Sequence, residues 1–255
     1  MSHPAPAQDD RAVRTPHEPI AGYYASEADR SAFLQDIFDR TAVDYDRVER
    51  LLAFGTGPSY RRWALKRAGL VAGMSVLDVG FGTGLVAAEA IALTGGAQFV
   101  TGVDPSPGML QASPLASQVE LHIGRAEALP FADASFDFLS MGYALRHVGD
   151  VSAAFSEFQR VLKPGGRLCV LEITAPQSRL GVWLLKAYMR GGVPLLARLA
   201  GVQTATPKIW RYYWDSIEAC APPTRIEATL RAAGLDEVRR HVELGIFSEY
   251  QARKF

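Results

Sequence analysis

The chain has 255 residues, 48% hydrophobic and 21% charged, and its 27 basic and 27 acidic side chains cancel to a formal net charge of zero. Such a length and composition fit one large soluble α/β domain with a sizeable core, and the charge balance argues against an electrostatic nucleic-acid binder. There is no apolar signal-peptide core at the N-terminus, and no uncharged apolar run reaches the roughly 18 residues of a spanning helix.

The two cysteines, Cys169 and Cys220, match no metal spacing, so no metal site is expected and both read as reduced packing residues of a cytoplasmic protein. Residues 1–25 are rich in Pro, Ala, His and Asp and read as a disordered tail, leaving residues 26–255 as a single domain. A helical pattern starts at Ser31 with Phe33, Leu34, Ile37 and Phe38 on one face, and a second covers Tyr60 to Gly69. Alternation follows: strand Ser75–Val79, helix Leu85–Leu93, strand Gln98–Val103, short helix Pro107–Ala112, strands Val119–Ile123 and Phe136–Met141, helix Val151–Leu162 and strand Arg167–Ile173. This order predicts βαβ units on a parallel sheet. An interruption over residues 176–223 holds the apolar piece Leu180–Leu199 and the aromatic residues Trp210, Tyr212, Tyr213 and Trp214. It predicts a helical cap or lid that buries itself or binds something apolar, with Pro194 ending or kinking its first helix. After helix Arg225–Ala233, segments near Val238–Val242 and Gly245–Tyr250 close the sheet, the last as an antiparallel strand.

The informative stretch is Val76-Leu77-Asp78-Val79-Gly80-Phe81-Gly82-Thr83-Gly84, a strand, a glycine turn and the start of a helix. Small residues there let a ligand approach the backbone. The spacing is G-x-G-x-G, with an acid two residues before the first glycine, which favours an adenosine cofactor without a pyrophosphate. Asp104, at the end of the next strand and 20 residues past Gly84, is placed to accept both ribose hydroxyls. The polar loop Gly124-Arg125-Ala126-Glu127 can cover an adenine face. Lys163-Pro164-Gly165-Gly166 is a reversal whose Pro and Gly suit a tight turn.

These segments resemble class I S-adenosylmethionine-dependent methyltransferases, and most closely the ubiquinone/menaquinone biosynthesis C-methyltransferase (UbiE) family. Beyond the glycine turn and Asp104, the resemblance rests on Phe38-Asp39-Arg40-Thr41-Ala42-Val43-Asp44-Tyr45-Asp46 with Phe54-Gly55 and Trp63. It rests also on Ala144-Leu145-Arg146-His147-Val148 and on Val161–Glu172 around the reversal, and it spans about residues 33 to 255. It implies a Rossmann-like fold with a mostly parallel twisted sheet, N-terminal helices and S-adenosylmethionine as cofactor. Cofactor contacts would then come from Asp78, Gly80, Gly82, Thr83 and Gly84 at the turn, with Asp104 on the ribose. Arg125 and Ala126 would lie at the adenine, Met109 against its ring, and Gly142 beside the methionine end. The chain departs from the family at Arg125, where an acceptor side chain is usual and a guanidinium accepts nothing. It departs again at His147, where the family carries Asn, and at Tyr250, where it carries His.

The chemistry implied is C-methylation of a prenylated quinol-type ring. A ring carbon attacks only once a neighbouring phenol has lost its proton, so a cation or a base is needed. Arg146 is the expected phenolate-stabilising or water-polarising cation, His147 the expected proton acceptor, and Tyr143 an expected wall of the substrate pocket. A soluble metabolite methylated on O, N or C, or a non-catalytic methyltransferase-like binding subunit, are the competing readings. The expected partner is a small lipophilic substrate. Lys186, Arg190 and Arg198 beside the apolar cap suit peripheral membrane contact, and self-association into a homodimer is left open.

Overall fold

Apolar runs read as strands pair into one seven-stranded sheet in the computed structural model, which describes residues 12–52, 55–199, 201 and 207–255. The strands are β1 (Val76–Val79), β2 (Val100–Asp104), β3 (Glu120–Ile123), β4 (Phe136–Gly142), β5 (Leu162–Ile173), β6 (Asp236–Glu243) and β7 (Phe247–Arg253), in the order β3-β2-β1-β4-β5-β7-β6. The first five run parallel, with Asp78 opposite both Gly102 and Ser140. β7 is antiparallel to both its neighbours, β5 and β6. The expected antiparallel last strand is therefore present, but it fills the gap between β5 and β6 and does not form the edge. There it buries Tyr250 and Ala252.

β4 and β5 are covered on both faces, which is why they read as near-continuous apolar runs. Phe138, Leu139 and Met141 on β4 and Leu168 to Leu171 on β5 are almost fully buried. Helix α3 (Leu85–Thr94) lies on one face; Ala87 and Ala90 are small enough for close approach and are wholly buried. Helix α5 (Val151–Val161) lies on the other through Phe155, Phe158 and Val161. Asp150 starts α5 by accepting the Ala153 N–H at 2.9 Å, the usual N-cap bond. Before the sheet come α1 (Glu27–Leu52) and α2 (Gly57–Arg67), and the short α4 (Pro107–Ala112) follows β2.

The interruption forms a cap of α6 (Arg179–Ala187), α7 (Val193–Leu199) and α8 (Pro207–Ala219), and α9 (Pro223–Ala232) leads back to the sheet. The expected break near Pro194 takes the form of a π-helical turn, Tyr188–Gly192, where the Val193 N–H reaches back to the Tyr188 carbonyl. Pro194 lacks the N–H that would continue regular helix pairing. Residues 200 and 202–206 of the cap lie outside the described residues, as does Phe54 of the N-terminal signature.

The tail expectation is corrected for residues 12–24; residues 1–11 lie outside the described residues. Val13, His17 and Tyr24 are buried. The Val13 N–H donates to Thr229 Oγ1 at 2.8 Å on α9, the Arg14 carbonyl accepts from Val151 N at 2.7 Å, and the Tyr23 hydroxyl donates to Asp215 at 2.9 Å on α8. A Pro-rich segment with no helical or strand period is still ordered where its few apolar side chains find pockets.

Candidate active site

The strand order reverses at β1 and β4, and in open α/β sheets ligands bind beyond the carboxyl ends of the strands at that switch point. A cavity of about 470 Å³ lies there. Gly80 takes φ +69°, and a Cβ on it would stand 2.7 Å from the Ala144 Cβ, so only glycine lets the turn after β1 meet the loop after β4. Gly142, ending β4, faces the same space; a Cβ there would strike Val86 Cγ2 at 2.5 Å.

The carboxylate of Asp104 lines the cavity and accepts the N–H groups of Gly82 and Ser106, both at 2.8 Å. Burial pushes its pKa up to about 6, with a further push from Asp39, against the two N–H bonds that favour its charged form. Its remaining lone pairs are free to accept a diol. Met109, Gly124, Arg125 and Ala126, the expected adenine contacts, line the same cavity. The Arg125 side chain is 54% exposed and reaches Ser31 Oγ at 3.2 Å, so the guanidinium sits at the rim.

Three expected contacts do not line the cavity. Asp78 is buried beneath the turn and accepts from Ser140 Oγ at 2.7 Å; burial raises its pKa to about 7, against that bond and the Ala87 N–H. Thr83 points away and donates to Asp46 at 2.5 Å, while Gly84, at φ +90°, starts α3. These residues hold the turn in place from behind, because a short turn cannot present every residue to one side.

Helix α1 clasps the same turn from above. Asp39 accepts from Ser106 Oγ at 2.5 Å and Gly108 N at 3.0 Å, which secures the start of α4, and Asp46 holds Thr83. Seven residues apart, the two acids share a helix face. Tyr45 lies between them in sequence and lines the cavity.

The loop after β4 carries the expected catalytic residues. Tyr143 has φ +58°, a strained conformation for a bulky residue that often marks a functional site. Arg146 is buried, and its Nη1 donates to Glu172 Oε1 at 2.5 Å and to the Tyr143 carbonyl at 2.9 Å; Nε lies 3.3 Å from Ser216 Oγ. Burial alone would favour the neutral guanidine, but Glu172 together with Tyr212, Tyr45 and Tyr213 outweighs it and the pKa stands above the usual value. His147 has Nδ1 3.0 Å from the Tyr212 hydroxyl, stacks on Tyr212 and meets Phe38 edge-on. Burial, then the charges of Arg146 and Arg30, hold its pKa well below the ordinary imidazole range. Its Nε2 is enclosed and has no hydrogen-bond partner among the described residues.

A second cavity of about 570 Å³ adjoins the first, and Tyr45, Tyr143, Arg146 and Tyr213 line both. Its other walls are largely apolar: Trp63 from α2, Leu185 and Met189 from the cap, Ile217 from α8, and Leu244 and Phe247 at the β6–β7 turn. Leu244 (φ +52°) and Gly245 (φ +73°) form a tight turn closed by Ile246 N to Glu243 O at 3.2 Å. Trp63 and Leu244 are 65% and 81% exposed. Sequence reasoning missed this chamber, Glu172 and the roles of Tyr45 and Tyr213. The chamber's signals were Trp63, exposed on α2 beside the buried Ala64 and Leu65, and the apolar interruption expected to bind something apolar. Among the described residues, no group of His, Cys, Asp or Glu could hold a metal ion.

Comparison with known proteins places this geometry. A model of the ubiE/COQ5 methyltransferase family matches residues 25–254. A ubiquinone/menaquinone biosynthesis C-methyltransferase from Geotalea daltonii is 33% identical over 87% of this chain and 96% of its own. A demethylmenaquinone methyltransferase from Desulfitobacterium hafniense is 32% identical, covering 90% and 92%. In fold, the chain is similar to a solved S-adenosylmethionine-dependent methyltransferase from Thermotoga maritima (TM-score 0.61, 23% identity, 87% and 100% covered). It is also similar to a Haemonchus contortus phosphoethanolamine methyltransferase solved with S-adenosylhomocysteine (TM-score 0.60, 18% identity, 91% and 60% covered).

Proposed function

The chain belongs to the ubiE/COQ5 methyltransferase family, and from that membership and the paired cavities we propose that it methylates a ring carbon of a prenylated quinol in quinone biosynthesis. It is an S-adenosylmethionine-dependent methyltransferase. The residues present suit that cofactor: Asp104 has acceptor capacity for the ribose hydroxyls, residues 124–126 suit the adenine edge, and Gly80 and Gly142 leave room at the methionine end. When bound, the cofactor supplies an electrophilic methyl group on a sulfonium.

The carrying observation is the junction. Arg146 lines both chambers, so a ring held in the apolar chamber presents its hydroxyl to a fixed guanidinium while its carbon faces the cofactor chamber. Positioning of this kind supplies much of the rate in a displacement. The cation stabilises the phenolate or polarises the water that takes its proton. His147 fits the proton-acceptor role less well, being a weak base with an enclosed Nε2. Tyr143, Tyr45 and Tyr213 wall the ring.

A prenyl tail would leave past Trp63 and Leu244. The cap presents exposed Leu180, Trp183 and Leu184 on α6, with Lys186 and Arg190 nearby. Lys186 and Arg190 pair with Glu218 and Asp215, so the exposed apolar side chains are the part suited to lie on lipid, and the reading proposed puts the domain on a membrane surface. No helix among the described residues is long and apolar enough to cross one. Incubating the protein and cofactor with membrane lipid extract, followed by mass spectrometry, tests the proposal. A singly methylated quinone lipid is expected; methylation confined to the water-soluble fraction would favour the metabolite reading instead.

A further inference from the structure

We infer that residues 12–24 act as a positioning strap for Arg146, with His17 holding the backbone of the catalytic loop from behind. The inference rests on the reading above, in which the Arg146 guanidinium faces the reacting ring. His17 Nε2 lies 3.1 Å from the Arg146 carbonyl oxygen, and Arg30 Nη2 on α1 donates to the same oxygen at 2.9 Å. His17 Nδ1 lies 2.8 Å from the Glu18 carbonyl; a neutral imidazole carries one N–H, and the tautomer with its proton on Nε2 is the one that donates to Arg146. His17 lines neither cavity, yet the residue it grips lines both.

The strap is anchored on each side of this contact. Upstream, the Val13 carbonyl accepts from Ser152 Oγ at 2.9 Å, Val13 N donates to Thr229, and the Pro16 carbonyl accepts from Ala221 N at 2.6 Å. Downstream, Tyr23 bonds Asp215, and its ring meets Tyr212 edge-on at 5.2 Å, the same Tyr212 that holds His147. The loop needs such support. Tyr143 is strained, and strained backbone persists only where its surroundings over-determine it. Glu172 restrains the side-chain end of Arg146, and the strap restrains the backbone end. The strap lies N-terminal to residues 25–254, which the family model matches.

The test compares the full chain with His17→Leu, which removes the ring N–H, and His17→Gln, whose amide keeps a donor. S-adenosylhomocysteine affinity, quinol-methylation kinetics, thermal melting and amide hydrogen exchange of residues 143–148 are measured on each. For His17→Leu, kcat falls about tenfold or more, the loss expected of a loosened catalytic group, while cofactor affinity stays level and exchange at 143–148 accelerates. His17→Gln recovers most of the rate. A folded His17→Leu with kcat near that of the parent, or a rate that falls only in step with the folded fraction, overturns the strap. If the parent itself methylates no quinol, the functional reading fails. Hydrogen exchange then decides the strap, and unchanged exchange in the leucine variant overturns it.

Discussion

Arg146 is a buried cation paired with Glu172, itself almost completely enclosed. Removing one member of such a pair strands the other charge, at a cost of about 3–5 kcal/mol. Arg146→Ala is therefore expected to lower both stability and turnover. The double variant Arg146→Met with Glu172→Gln removes both charges; it should regain most of the melting temperature and none of the rate, and it should bind S-adenosylhomocysteine as the parent does. Recovery of turnover in the double variant would show that the cation serves packing alone. Asp104 gives a pH signature at the same scale. Its folded pKa of about 6 lies above the ordinary ~3.9 of an unfolded Asp. The folded apoprotein thus binds an extra proton between those values, and its stability falls as pH rises through that window. Asp78, raised to about 7, acts in the same direction. Cofactor affinity runs the other way, because an ionised carboxylate is the stronger acceptor of ribose hydroxyls, by about tenfold for a charge-assisted bond. Calorimetry with S-adenosylhomocysteine should show affinity rising from about pH 5 to above pH 6. A flat profile would remove Asp104 from the ribose.

Among the elements, α1 bears most on the site. Asp39 secures α4 and Asp46 secures the glycine turn, so the helix acts as a clasp over the cofactor chamber. Asp39→Ala should cost ~1 kcal/mol as a lost cap and weaken cofactor binding measurably. Asp36→Ala, which breaks only the exposed i,i+4 pair with Arg40, should change stability by no more than ~0.5 kcal/mol. Equal effects of the two substitutions on cofactor affinity would refute the clasp. The parallel centre of the sheet was readable from the chain because β1, β2, β4 and the second half of β5 are local apolar runs, whereas β6 is largely charged. Even the short helix Pro107–Ala112 has the limits its Ser106 cap and Pro107 suggest. β2 begins two residues later than its pattern implies, because Gln98 and Phe99 belong to the 3₁₀ turn Ala97–Phe99. Hidden from a local reading were contacts made by single residues across long separations. Val13 docks 216 residues away on Thr229, Arg146 finds Glu172, and the second chamber draws its walls from elements far apart in sequence, α1 and α2 to the β6–β7 turn. No periodicity encodes these.

At the scale of the whole molecule, two chambers meet at one cation, and the apolar one opens beside an exposed apolar face. Trp183 and Leu184 are 63% and 53% exposed on α6. The paired change Trp183→Glu with Leu184→Glu should reduce sedimentation with anionic vesicles while leaving melting temperature and the methylation of a short-chain quinol intact. Equal vesicle binding by parent and variant would move the membrane contact elsewhere. The most direct test of the central claim offers the purified enzyme a reduced demethylquinol with a prenyl chain, together with cofactor carrying an isotope-labelled methyl group. One labelled methyl on a ring carbon is expected, formed by the parent and lost in the double variant Arg146→Met with Glu172→Gln at unchanged cofactor affinity. Label found on oxygen, or no transfer to the quinol by an enzyme that binds the cofactor, would contradict it.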